Sequence, residues 1–64
     1  MPVNAMQLLM MGATEKELEA VRRLPLRVRW EPETGYSLEG IITARGLSAA
    51  QVLRYIAAVV QGRQ

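Results

Sequence analysis

Leu26-Arg27-Val28-Arg29-Trp30 alternates apolar and basic side chains one for one. That period of two belongs to a strand with one face buried and the other in water. Glu31-Pro32-Glu33-Thr34-Gly35 follows, and then Tyr36-Ser37-Leu38-Glu39-Gly40-Ile41-Ile42-Thr43. The two runs read as a β-hairpin closed by a five-residue loop. Setting Trp30 opposite Tyr36 places Val28 against Leu38, Arg27 against Glu39 and Gly40 against Leu26. One face is then apolar and the other carries an Arg27–Glu39 ion pair. Gly40 leaves space for a helix to approach the sheet. Ile41 points the other way, toward solvent, and gives a first hint of a partner.

Two helices are marked by their ends. Thr14 followed three residues later by Glu17 forms a capping box, with Glu15 and Glu17 in the first turn where the helix dipole favours them. The helix must end before Pro25, because the residue preceding proline is driven out of the helical region. Leu18, Val21 and Leu24 form its apolar side, and Lys16, Glu19 and Arg23 its wet side. After Gly46 and Leu47 close the hairpin, Ser48 is an N-cap for a helix over residues 49–61, stopped by Gly62. Ala49, Val52, Leu53, Ile56, Val59 and Val60 give this last helix a broad apolar stripe, which Tyr55 and Ala58 extend.

The segment before Thr14 supports two readings. Asn4 is placed to cap a short helix through Met11 with Gly12 as its stop, and Met and Leu favour that form. The rival makes Met6 to Met11 a buried strand, supplying a third strand to a sheet that two strands barely sustain. Both are α+β: one small domain spanning residues 1–64, an antiparallel hairpin packed on two or three helices in the order α-α-β-β-α, or alternatively β-α-β-β-α. Gly12-Ala13-Thr14 between two helices, with a hairpin following, resembles the turn of a helix-turn-helix and its wing. Small-residue turns ahead of a helix cap also occur widely outside that motif.

At this length, with no cysteine and no histidine, neither a disulfide nor a zinc site is at hand to brace the core. A core built of Leu, Ile, Val, Met and Ala around Trp30, with no Phe, supplies only about 3–5 kcal/mol. Self-association is the natural supplement, with a dimer the favoured order.

Aspartate is missing as well, so acid-base and nucleophilic chemistry is left to glutamate, Lys16, two tyrosines and hydroxyls with no imidazole to activate them. Glu31 and Glu33 flank Pro32 in an exposed turn with nothing to desolvate them, which fits a solvated loop better than a catalytic pair. The five glycines are scattered and form no phosphate cradle. No catalysis, metal or cofactor is expected.

Arg22, Arg23, Arg27 and Arg29 put four cations into eight residues, with Trp30 next in line, a cluster able to contact nucleic-acid phosphates. The plainer account pairs Arg22 or Arg23 with Glu19 and Arg27 with Glu39, and a net charge of +2 is modest for a nucleic-acid binder. The apolar surplus points instead to protein contact. It comprises Met1, Met6, Met10 and Met11, which adapt to irregular surfaces or fill a core poor in aromatics, together with Ile41, Val52, Tyr55, Ala58 and Val59 as an interface. The expected function is a non-catalytic accessory or regulatory module that self-associates through its last helix or a strand edge and contacts a protein partner. A nucleic-acid regulator is the alternative. The uncharged run at the start is too short to span a bilayer, which needs about 20 apolar residues, and it lacks an export pattern. A cytoplasmic protein with no membrane contact is therefore expected.

Overall fold

The computed structural model describes residues 1–62. Its elements run α1 (Ala5–Met11), α2 (Glu15–Arg23), β1 (Leu26–Glu31), β2 (Gly35–Gly40), β3 (Ala44–Leu47) and α3 (Ala49–Gly62). Each helix opens on a reciprocal cap. The Asn4 side chain accepts from the Gln7 N–H at 2.8 Å while Gln7 Oε1 accepts from the Asn4 N–H at 2.9 Å. Thr14 with Glu17 and Ser48 with Gln51 repeat the arrangement. Two backbone donors at each helix start, which would otherwise go unpaired, are thereby satisfied. The Asn4 box also decides the N-terminal segment: Met6 to Met11 is helix, and the β-α-β-β-α order is set aside. Gly12 ends α1 at φ +117, donating its N–H to the carbonyls of Leu8 and Leu9.

The hairpin register is the expected one: Trp30 pairs with Tyr36, Val28 with Leu38, Arg27 with Glu39 and Leu26 with Gly40. Three details differ from expectation. The loop is shorter, because Glu31 and Gly35 pair as the last rung and leave Pro32 to Thr34 as the turn. The second strand stops at Gly40, where φ is +119 and the chain bends away. The close approach at Gly40 comes from the Pro25 backbone, whose carbonyl accepts the Ile41 N–H at 2.8 Å, and not from a helix.

β3 is the third strand of an antiparallel sheet in the order β1-β2-β3, which makes the whole sequence of elements α-α-β-β-β-α. Tyr36 pairs with Leu47 and Leu38 with Ala44, so Arg45 and Gly46 together oppose Ser37 in a bulge. The third strand a stable sheet needs thus comes after the hairpin and not before it.

Helices α2 and α3 cover one face of this sheet, and α1 packs on α2 with Leu8 reaching the same core. The core is Leu8, Ala13, Leu26, Val28, Leu38, Leu47, Val52 and Ile56, with Val3, Met11, Leu18, Val21, Leu24, Tyr36, Ala44, Leu53 and Val60 packed around it. The other face is bare and carries Arg27, Arg29, Glu39 and Arg45. Trp30 shares the inward side with Val28 but lies at the far end of β1, beyond the reach of the central helix contacts. It is 37% exposed, a rim residue and not the centre expected of it.

Met1 to Val3 lies along the free side of β1. The Val3 N–H donates to the Val28 carbonyl and the Trp30 N–H to the Met1 carbonyl, each at 2.8 Å, with Pro2 bridging to Arg29. One edge of the sheet is therefore covered. The opposite edge, β3, is four residues long, bulged and charged at Arg45, three devices that discourage strand addition. Among the described residues no helix is long and apolar enough to cross a membrane.

Candidate functional site

The last helix, expected to supply an interface, spends its apolar stripe on the protein's own core. Val52 is 0% exposed and Ile56 1%, because every third or fourth residue of α3 turns toward β2 and β3. Val52 is thereby removed from the expected interface set, and Val59 is half-buried. What faces outward is Ala50, Gln51, Arg54, Tyr55, Ala58 and Gln61. Tyr55, at 38% exposure, and Ala58 thus sit in a mixed, largely polar stripe. Ile41 is exposed too, but it belongs to the bend after β2, held to Pro25 by its own N–H.

The four arginines of the expected basic cluster separate into two layers. Arg22 and Arg23 ride on α2, where Glu19 lies 3.8 and 3.7 Å from them. With three glutamates against Lys16, Arg22 and Arg23, α2 is electrically balanced. A neutral second helix is a poor match to a helix-turn-helix reading surface, which must approach phosphates. Arg27 and Arg29 stand on the bare face of the sheet instead. Arg45 of β3 stands there with them, a residue that sequence reasoning left out because it did not see β3.

Arg29, Ser37 and Arg45 lie in one row across the three strands and line an open depression of about 550 Å³ together with Glu31, Thr34, Glu39 and Gly46. Glu31 approaches Arg29 at 3.9 Å. Arg27 and Glu39 face each other in the register but form no ion pair among the described residues, contrary to expectation. No aromatic side chain joins this face. Trp30 and Tyr36 belong to the helix-covered side, so arginine contacts and base stacking are kept apart, whereas single-strand binders combine them. No cluster of three or more metal-binding side chains occurs among the described residues.

The largest exposed apolar side chains gather elsewhere, at α1 and the adjoining end of the sheet. Met6 and Met10, one helical turn apart, flank Leu9. They are 65%, 81% and 46% exposed, although α1 is only seven residues long and buries Leu8 alone. Met10 continues onto a cleft of about 230 Å³ that it shares with Met1, Pro2, Val3, Gln7, Met11, Trp30 and Tyr36. This is smaller than the roughly 300–1,000 Å³ of small-molecule sites. It is a shallow surface lined mostly by apolar side chains, with the Met1 ammonium paired to Glu31 at 3.3 Å beside it. The signal for it was present in the sequence as Met6, Leu9 and Met10 at helical spacing beside an N-cap, but it became decisive only once the segment was known to be a helix.

No protein-family model matches the chain, and no curated protein or solved structure is significantly similar to it.

Proposed function

We propose that this protein is a non-catalytic binding module that works by covering its α1 face with another protein surface. One observation carries the reading: Met6, Leu9 and Met10, with Met1 and Trp30 beside them, form an exposed apolar face on a chain whose core has eight buried members among the described residues. Fully covering a single Leu or Met side chain contributes about 1.5–3 kcal/mol, and flexible methionines suit a surface that must adapt to a partner. An accessory or regulatory role in the cytoplasm fits a cysteine-free chain that acts by contact.

The bare face with Arg27, Arg29 and Arg45 supports a second reading, a nucleic-acid contact, since three arginines at strand spacing are able to meet successive phosphates. Glu31 and Glu39 in the same field weaken it, as does the absence of a stacking aromatic.

The test is a photo-crosslinking amino acid at position 10, compared with one at position 29, in cells making the protein. Protein adducts formed from position 10 and not from position 29 support the contact surface on α1. Adducts from position 29 alone would move the working surface to the arginine face.

A further inference from the structure

We infer that the bare face of the sheet holds the phosphate monoester of a small hydroxylated molecule, such as a sugar phosphate, between Arg29 and Arg45 and over Ser37. The site is separate from the α1 face and does not depend on it.

Charge and spacing place the anion. Arg29, Ser37 and Arg45 form one row across β1, β2 and β3. Neighbouring strands lie about 4.8 Å apart, so the two arginines start about 10 Å from each other with Ser37 midway. Guanidinium forks reaching inward from both sides converge on a group seated over the Ser37 hydroxyl. Phosphate is an anion that their planar, bidentate geometry suits. The bulge in β3 contributes, since Arg45 and Gly46 together oppose Ser37 with Gly46 at φ +67, and bulges re-aim the side chains they carry.

The charges on this face are not evenly matched. Glu31 is held by two cations, the Met1 ammonium at 3.3 Å and Arg29 at 3.9 Å. Glu39 faces Arg27 in the register. Arg45 forms no ion pair among the described residues, so its charge is the one left for an outside anion.

The same glutamates set the size of that anion. Glu31 lies two residues beyond Arg29 and Glu39 two residues beyond Ser37, each about 7 Å along the strand. A run of phosphates laid along the strands would press its next members against these carboxylates. A monoester ends within the row. Its hydroxyls then find acceptors in Glu39 and Thr34, which line the same depression. At about 550 Å³ the depression falls within the roughly 300–1,000 Å³ of small-molecule sites, and a sugar phosphate needs no stacking aromatic.

The probe is ribose 5-phosphate, titrated into the isotope-labelled full chain and followed by backbone amide shifts, with ribose, inorganic phosphate and a single-stranded oligonucleotide in parallel. Saturable shifts are expected at Arg29, Ser37, Arg45 and Gly46, and none there with ribose. Inorganic phosphate is expected to bind at the same amides about tenfold more weakly, having no hydroxyl contacts to add. Arg45→Ala should raise the dissociation constant about tenfold, whereas Arg54→Ala, exposed on α3, should leave it unchanged. Arg29→Gln replaces Arg45→Ala in the comparison if the latter disturbs core amides. The absence of shifts with ribose 5-phosphate overturns the inference, as does an Arg54→Ala effect equal to that of Arg45→Ala. Inorganic phosphate binding as tightly as the sugar phosphate overturns it as well. Tighter binding of the oligonucleotide at these amides would also overturn it, by giving the face to nucleic acid.

Discussion

Gly40 and Pro25 meet backbone to backbone: a Cβ on Gly40 would overlap the Pro25 carbonyl oxygen, which already accepts the Ile41 N–H. The turn from α2 into β1 is thereby fastened to the point where β2 leaves the sheet. With φ at +119 as well, no side chain fits there without moving one of the two strands. Gly40→Ala is expected to cost about 3 kcal/mol. That approaches the whole stability of a domain this size, roughly 3–5 kcal/mol. Circular dichroism at room temperature should find the variant largely unfolded, and a cooperative melt close to that of the parent would refute the point.

Neighbouring residues on α3 should behave oppositely. Ile56 is buried and Tyr55 is not, so Ile56→Ala is expected to lose about 3 kcal/mol in urea titration, and Tyr55→Glu to stay within about 0.5 kcal/mol. Tyr55→Glu should also leave the association state untouched, which light scattering checks.

The caps should add up. Thr14→Ala and Ser48→Ala each remove the acceptor of a capping box and should each cost about 1 kcal/mol. They begin different helices, so the double variant is expected to lose their sum. Urea midpoints of the two single variants and the double variant decide it.

Trp30 is the only tryptophan and lines the cleft beside Met10, which makes it a built-in reporter. Its emission is expected to move to shorter wavelength when a protein captured by the position-10 crosslinker is added and covers the α1 face. In Met10→Glu it should not move. A spectrum unchanged by that protein would argue against cover at this surface.

The arginine face gives a negative expectation. At physiological salt a labelled single-stranded oligonucleotide should show no change in anisotropy on adding the protein, given the interleaved glutamates and the missing aromatics. Binding that falls with salt and disappears in the triple variant Arg27→Ala, Arg29→Ala, Arg45→Ala would restore that face as the working one.

The hairpin register was legible because two independent signals agreed, the alternation of Leu26 to Trp30 and the turn formers after it. Local chemistry also located α2 and α3. β3 escaped because Ala44-Arg45-Gly46-Leu47 is short, bulged, and has a glycine at φ +67, none of which resembles a strand pattern. Arg45 was lost with it. Trp30 was assigned to the core because alternation tells which side a residue faces, not how far along the strand the covering helices extend. The same limit misplaced Val52: a helical stripe identifies the buried side without saying whether the protein's own sheet or a partner buries it. For α1, Gln7 three residues after Asn4 was the available clue, and it completes a capping box that distinguishes helix from strand.

Both borders of the sheet are closed to growth, one by the Met1 to Val3 segment and the other by the short, bulged and charged β3. Repeated strand-on-strand addition, the route to fibres, has no starting template here. Crowding this protein should therefore not yield filaments built by sheet extension.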